Sequence, residues 1–380
     1  ASRLTGLRGH DGGNAATGQP ASLPLQAPGL PAENGLDNLW RNVTMKALAL
    51  FTLTAVASAS VLAAGSSPAA KIVISGDSSQ STSVAKEATV SNQANAYATA
   101  VQNLSSNKGD ITIAGDSKQS TTVKAGGNVS NKAWNPGDIA LQSVASNVGK
   151  VEVKKGASST QSATIAGTLS NDAMGAGSPS SCGNDCEDAA LAVQSVSSNV
   201  GNVTIGGESK QSTSIAGGAV GNKAQGAGAV AIQSLASNVG KVDVEGKSSQ
   251  TVNLTRTTVT NHANGADTTA VQNLASNYDG VTITKGGQST QTVVGDGGTI
   301  SNEATGRYAQ AFQNLSSNFG DVTISGKSTQ LTYVAGTVTN KANGYRSLAV
   351  QNLSSNDACD PPKFKLPDCP TGYCGWGSRL

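Results

Sequence analysis

The chain has 380 residues, a formal net charge of +2, 45 glycines, 13% charged residues and 3% aromatic residues. So few charged and large apolar side chains exclude a conventional thick globular core, and the low net charge gives no electrostatic indication of nucleic-acid or anionic-membrane binding. Small and polar residues predominate, so the chain is either disordered or folds without an aromatic-rich core.

The first 63 residues are predicted to lie outside the working protein. Residues 45–63 have a basic start at Lys46, an apolar run, and small residues suited to cleavage after Ala63 or Ala64. This is the pattern of a secretory signal peptide, and the alternative transmembrane helix is weaker because a span needs ~20 apolar residues. We interpret residues 1–44, which lack periodicity, as non-native translation of upstream sequence. We therefore expect a secreted bacterial protein, extracellular or on the cell surface, with no membrane span in the mature chain.

Residues 64–356 contain seven copies of one unit. Most intervals between copies are 39 to 41 residues, and the third copy is longer because of an insert at 175–188. The copies begin near Ile72, Ile111, Val151, Val203, Val242, Val281 and Val322. Each copy has four short segments of alternating apolar and polar residues, such as VTI, QSTSV, TVSN and AVQNL, separated by Gly and Asn. This pattern predicts four half-buried strands joined by turns.

The repeat predicts an all-β fold in which seven units stack along one axis as a β-solenoid. One unit buries too little to be stable alone, whereas stacked units satisfy each other's backbone hydrogen bonds. Equivalent residues then lie roughly 4.7–4.8 Å apart. A unit could form one coil or two, and we favour one because its two halves do not align at a fixed spacing. The Ala and Gly residues of the second half are expected where opposite walls come close.

Four polar columns are kept in all copies, and a buried column of Gln or Asn can be satisfied by amide-to-amide bonds along the axis. The first Gln column is Gln80, Gln119, Gln161, Gln211, Gln250, Gln291 and Gln330. The second is Gln102, Gln142, Gln194, Gln233, Gln272, Gln313 and Gln351. The N-x-A column is Asn92, Asn131, Asn171, Asn222, Asn261, Asn302 and Asn340. The S-S-N column is Asn107, Asn147, Asn199, Asn238, Asn277, Asn318 and Asn356. We predict that these residues form the ladders through which the protein also self-assembles.

All five cysteines lie outside the repeat columns. Cys182 and Cys186 are in the insert, and Cys359, Cys369 and Cys374 are in the Pro-rich tail, residues 357–380. In an exported protein disulfides are the expected state, and one odd Cys would remain to bond a neighbouring subunit. Zinc is the alternative, but the spacings lack partner His residues. The tail could cap the last turn or reach the next subunit as an arm.

The sequence predicts neither an enzyme nor a cofactor site. No cluster of paired carboxylates, metal ligands or phosphate-binding glycines interrupts the repeat. Acidic residues are scattered at turn positions, namely Asp110, Glu208, Asp279 and Asp321. His262 occupies the variable position of an N-x-A motif and is expected to face solvent.

The order Gln80, Asn92, Ala94, Gln102, together with the signal peptide and the tandem Ser/Gln/Asn/Gly/Ala-rich repeats, resembles the curlin-type subunits of bacterial extracellular amyloid fibres. The resemblance covers most of residues 71–356. It implies a β-solenoid with internal ladders that polymerises with copies of itself as a biofilm scaffold, with an outer-membrane secretion or nucleation factor as a further partner. The chain departs from that family in its longer period, its wider Asn-to-Gln interval, its lack of the Gln-x-Gly-x-Gly element, and its Cys-bearing insert and tail.

Two functions remain open from the sequence. One is a fibre subunit whose last turn templates the first turn of the next molecule, which is favoured because the terminal copies keep every column instead of becoming polar caps. The other is a monomeric adhesin or ligand-binding solenoid, including an ice-binding face, although the Thr positions vary between copies.

Overall fold

The computed structural model describes residues 71–357 except 96, 135–136, 176–189, 227, 267, 279, 285 and 321. The upstream segment, the signal peptide, all five cysteines, and most of the insert and tail therefore lie outside the described residues. In the described part every regular element is a β-strand, and there is no helix that could cross a membrane.

The strands form four parallel sheets that run the length of the molecule, here called sheets A to D in chain order. Sheet A contains β1 (Lys71–Ile74), β6 (Asp110–Ile113), β11 (Val151–Val153), β16 (Val203–Ile205), β21 (Val242–Val244), β25 (Val281–Ile283) and β29 (Thr323–Ile324). Sheet B contains β2 (Ser78–Val84), β3 (Thr89–Ala94), β7 (Asp116–Val123), β8 (Asn128–Trp134), β12 (Ser158–Ile165), β13 (Thr168–Met174), β17 (Glu208–Ala216), β18 (Ala219–Gln225), β22 (Lys247–Asn264), β26 (Gln288–Thr305) and β30 (Lys327–Asn343).

The remaining strands complete each turn. Sheet C contains β4 (Ala100–Leu104), β9 (Ala140–Val144), β14 (Leu191–Val196), β19 (Val230–Leu235), β23 (Thr269–Leu274), β27 (Gln310–Leu315) and β31 (Leu348–Leu353). Sheet D contains the two-residue strands β5 (Asn107–Lys108), β10 (Asn147–Val148), β15 (Asn199–Val200), β20 (Asn238–Val239), β24 (Asn277–Tyr278), β28 (Asn318–Phe319) and β32 (Asn356–Asp357).

Each repeat makes one coil of the solenoid. In sheet A, Ile72 pairs with Ile111, and in sheet B, Gln80 pairs with Gln119, so each residue lies beside its equivalent one repeat later. The same register continues through all seven turns and places like residues in columns. The prediction of a seven-turn β-solenoid with one coil per repeat is confirmed.

The path of a turn differs from the prediction in the number of strands. The sequence predicts four strands per turn, whereas the first four turns have five, and in the last three turns the two strands of sheet B are continuous. The fifth strand follows a corner at a residue with left-handed backbone, for example Ser105 (φ 49°) and Ala145 (φ 50°). Because Ser and Ala are not typical of this conformation, the corner carried no recognisable turn signal.

The interior is built from columns of small and medium apolar residues. Val123, Ile165 and Leu235 belong to the main cluster between sheets B and C, and a second cluster lines sheet A. A third cluster consists of alanines, including Ala133 on sheet B and Ala140 on sheet C, both fully buried. Alanine columns let these two walls come close, as the sequence predicts for the second half of the unit.

Candidate functional site: polar ladders and end faces

The second Gln column forms a continuous side-chain ladder along sheet C. Nε2 of Gln142 donates to Oε1 of Gln102 at 2.8 Å, and each later glutamine donates in the same way to the one before it, at 2.5–2.9 Å. From Gln142 to Gln313 the same nitrogens also donate to a backbone carbonyl of sheet B, at 3.1–3.2 Å. All donors of this ladder point toward the N-terminal end of the solenoid.

The N-x-A column forms a second ladder with the opposite direction. Nδ2 of Asn92 donates to Oδ1 of Asn131 at 2.8 Å, and the next five bonds repeat this distance through Asn340. Each Asn also donates to a carbonyl of sheet C, as Asn131 does to Leu141 O at 2.9 Å. The column thus connects neighbouring turns and fastens sheet B to sheet C.

The S-S-N column forms a third ladder, which also donates toward the C-terminal end. Nδ2 of Asn107 donates to Oδ1 of Asn147 at 3.0 Å, and the bonds continue to Asn318 at 2.9–3.1 Å. The column begins at Asn107 (4% exposed) and is fully buried from Asn147 to Asn318. Its last member is Asn356 in β32.

The first Gln column is arranged differently from the expected amide-to-amide ladder. Nε2 of Gln161 donates to Ser159 Oγ at 2.8 Å and to Asn199 Oδ1 at 3.1 Å, so it bonds across the coil and not to Gln119 or Gln211. Within the described residues, the buried Oε1 atoms of this column have no partner from Gln80 to Gln291. From Gln161 to Gln330 the serine two residues before each Gln accepts from its Nε2, at 2.6–3.3 Å.

A serine column that the sequence analysis did not single out stabilises the corner between sheets C and D. Ser146 Oγ donates to Val144 O at 2.9 Å and to Ser195 O at 3.1 Å, and it accepts the backbone N–H of Ser198 at 3.1 Å. The S-S-N motif contains this serine directly before the asparagine. These bonds support a left-handed corner that L-residues rarely adopt.

The outer face of sheet B carries a column of charged residues that the sequence analysis treated only as variable positions. Its members lie in adjacent turns and are Lys132, Asp172, Lys223, His262, Glu303 and Lys341. Lys341 Nζ donates to Glu303 Oε1 at 3.0 Å, and this bond holds the pKa of Glu303 below its usual value. Burial raises the pKa of Asp172, while the charges of Lys132 and Lys223 oppose that shift.

His262 lies in this column on the outer face, as expected, but it is half-buried. Burial lowers its pKa, Glu303 opposes this, and Lys223 and Lys341 add to it. A surface cavity of about 340 Å³ lies beside it where Gly221 interrupts a column of Ser and Thr. Within the described ranges, no three His, Cys, Asp or Glu side chains are grouped so that they could hold a metal ion.

Within the described residues both ends of the solenoid are open strand edges. β1 to β5 at the N-terminal end and β29 to β32 at the C-terminal end each pair on one side only. Interior glutamines such as Gln119 are fully buried, whereas Gln80 in the first turn and Gln330 in the last are only half-buried. At the C-terminal end Ile324 and Leu353 are exposed at positions where the middle turns are fully buried.

No protein-family model, curated protein or solved structure matches this chain.

Proposed function

We propose that the protein is a secreted structural subunit that polymerises end to end into extracellular amyloid-like fibres, serving as a biofilm, matrix or sheath scaffold. The observation that supports this is that the two end faces are complementary. Each column present in the last turn is also present in the first, in the same order around the coil. A second molecule placed head to tail therefore continues all four sheets without a change of register.

The ladders support the same orientation through their hydrogen-bond directions. Asn340 is the last member of the N-x-A ladder and accepts from Asn302, and Asn92 is the first member, whose Oδ1 no preceding described turn reaches. In a head-to-tail stack Nδ2 of Asn340 would donate to Oδ1 of Asn92 in the next molecule. The second Gln column has the opposite donor direction. Nε2 of Gln102 in the next molecule would therefore donate to Oε1 of Gln351. A head-to-tail junction satisfies donors and acceptors on both sides, and an unsatisfied buried polar group costs about 1–3 kcal/mol.

The apolar core continues across such a junction as well. Val334 and Val84 belong to the same column, as do Ile324 and Ile74. Stacking would bury Ile324 and Leu353, which are 36% and 45% exposed in the single molecule. An open sheet edge with matched apolar and amide columns is an assembly surface.

Electron microscopy of protein recovered from the medium of expressing cells tests the proposal. We expect long, unbranched fibres that resist protease and detergent, with a cross-β reflection at roughly 4.7–4.8 Å along the fibre axis. Dispersed monomers at all protein concentrations, pH values and salt concentrations would contradict the proposal.

The second candidate function is a monomeric adhesin or ligand-binding solenoid. The cavity of about 340 Å³ beside His262 and Gly221 is the observation in its favour, because it interrupts an otherwise regular outer face. Gly221→Thr fills the cavity and restores the Ser/Thr column. If the protein is an adhesin, this variant should lose ligand or surface binding. If it is a fibre subunit, fibre formation should be unchanged.

A further inference from the structure

The outer edge of sheet B contains a column whose charge changes sign from one end of the molecule to the other. From the second turn on, its members are Asp116, Ser158, Glu208, Lys247, Gln288 and Lys327. In the first turn the corresponding residue is Asp77, which directly precedes Ser78, the partner of Ser117. We call this the rim column. Its N-terminal end is acidic, its C-terminal end is basic, and both terminal members, Asp77 and Lys327, are exposed.

Side chains in one column reach each other across adjacent turns. In the rim column, Ser158 Oγ donates to Asp116 Oδ1 at 2.6 Å. On the neighbouring charged column, Lys341 and Glu303 form an ion pair at 3.0 Å between the last two turns. In the rim column itself Glu208 and Lys247 lie in adjacent turns, although among the described ion pairs none joins these two side chains. An Asp and a Lys in adjacent turns of the rim column are therefore close enough to attract each other, and a modest change of rotamer would bring them into contact.

We propose that Lys327 of one subunit pairs with Asp77 of the next, and that this ion pair selects the head-to-tail junction between copies of this chain. The inference rests on the proposed fibre function. In a head-to-tail stack the first turn of one molecule takes the position of an eighth turn, so Asp77 lies beside Lys327 in the rim column. In this orientation and register the pairing joins opposite charges.

The sheet D column provides a second, independent match. Lys108 occupies it in the first turn, and Asp357 occupies the same register position in the last. Burial lowers the pKa of Lys108. The charged column on the outer face of sheet B also meets without repulsion, since the uncharged Gln93 of the next subunit would follow Lys341.

Charge reversal with complementary variants tests the junction. Asp77→Lys alone places Lys beside Lys327, and Lys327→Asp alone places Asp beside Asp77. We expect each variant to raise the critical concentration for assembly roughly five- to twentyfold at low salt, the size of a switch from attraction to repulsion at an exposed site.

An equimolar mixture of the two single variants should assemble near the wild-type critical concentration, because each variant then pairs only with the other and the two alternate along the fibre. The double variant Asp77→Lys/Lys327→Asp should also assemble alone.

The control is Lys210→Asp, an exposed substitution in a middle turn that changes the net charge by −2, as Lys327→Asp does. It should assemble as the wild type does. Circular dichroism of the unassembled variants checks that the solenoid is folded, and the mixture itself is a second check because an unfolded variant cannot rescue its partner.

The outcomes separate this inference from the fibre proposal. If wild-type protein forms no fibres, both are wrong. If wild-type protein forms fibres and the single reversals assemble equally well, or if the mixture does not recover, the fibre proposal stands and the Lys327–Asp77 junction is wrong. Recovery in the mixture with strict alternation, measured by labelling one variant, supports the junction.

Discussion

At the scale of single residues, two chemically identical columns behave differently. Glutamines of the second column bond to their own copies above and below. Those of the first column bond to a Ser on their own strand and to an Asn across the coil, as Gln250 does to Ser248 and Asn277. The structural importance of a buried amide therefore depends on which neighbour its two atoms reach, and not on how regularly the residue repeats.

Gln272→Leu should destabilise the solenoid strongly. Gln272 donates to Gln233 Oε1 at 2.8 Å and accepts from Gln313 Nε2 at 2.7 Å, so its loss breaks both bonds inside a fully buried ladder. We expect the free energy of unfolding to fall by about 2–4 kcal/mol, measured by chemical denaturation, since each unsatisfied buried group costs about 1–3 kcal/mol. Gln313→Leu should behave similarly, and both should slow fibre assembly.

The matched control is Gln250→Leu in the first column, in the same turn and equally buried. Its Oε1 has no partner among the described residues, and its bonding partners Ser248 and Asn277 keep bonds from Asn238. The free energy of unfolding of Gln250→Leu should therefore fall by less than about 1 kcal/mol. Equal losses at Gln250 and Gln272 would show that the ladder bonds do not distinguish the columns.

His262→Gln should flatten the acid side of the pH–stability profile. Because the pKa of His262 is lower in the folded protein than the usual value of about 6.5, the unfolded chain takes up the proton first. The stability that neutral His262 contributes is fully present above pH 6.5. It is lost as the pH falls through the lower pKa that His262 has in the folded protein. Glutamine occupies the same position in the first turn, at Gln93.

Thermal unfolding at a series of pH values between 7 and 5 measures this effect. Asn253→Gln, an exposed substitution on the same strand that removes no titratable group, is the control and should keep the wild-type slope. Glu303 contributes a separate loss at lower pH, because its pKa is also lowered and its ion pair with Lys341 is broken as the carboxylate is protonated. An unchanged slope between pH 7 and 5 in His262→Gln would contradict the assignment.

At the scale of elements, the glycine column between sheets D and A makes the close stacking of the corners possible. Gly201 has φ +119°, and a Cβ at this residue would lie 2.1 Å from the carbonyl oxygen of Gly149 in the preceding turn. The backbone of one turn thus occupies the space that a side chain would need. Spacing between these corners is set by backbone contact and not by side-chain packing.

Gly201→Ala should therefore prevent normal stacking at this corner. The expected result is a loss of at least about 3 kcal/mol of unfolding free energy or failure to fold, because the clash is with backbone and the φ value is strained for Ala. Gly217→Ala is the control, since Gly217 has φ +66° but no atom within 4 Å of an added Cβ. The free energy of unfolding of Gly217→Ala should fall by only about 1 kcal/mol. A similar small loss in both variants, measured by denaturation, would mean that the corner has room to move.

The sequence allows the repeat, the strand direction and the columns to be predicted, because in-register stacking requires each column to keep its residue type. It does not allow the partner of Gln80 to be predicted, because Asn107 is 27 residues away and reaches it only when the coil closes. The corner at Ser105 was missed because its φ is positive without Gly or Asn. The sequence also does not predict the donor directions of the ladders, because a Gln or Asn residue is the same in the sequence whichever way its amide nitrogen points.

At the scale of the whole molecule, the solenoid is a one-dimensional array whose length is set by the number of repeats. Each turn contacts its neighbours in sequence order, and the register is constant across the described turns. In such arrays stability is a sum of turns and of the interfaces between them, so a complete turn can be removed without changing the design of the rest. A fibre built end to end inherits this property, and its axial repeat then equals the length of one molecule.

Deletion of residues 203–241 removes one complete turn and joins Asn202 to Val242, which continues sheet A in phase. The wild-type fibre should show an axial subunit repeat of about 34 Å, from seven turns at ~4.8 Å, and the deletion should shorten it to about 29 Å. The cross-β spacing should remain unchanged, because it measures the distance between turns. Deletion of residues 203–222 is the control, since it removes half a turn, puts the columns out of register and should prevent folding. Layer lines in electron micrographs measure both spacings, and an axial repeat that stays the same after the full-turn deletion would show that the solenoid axis does not lie along the fibre.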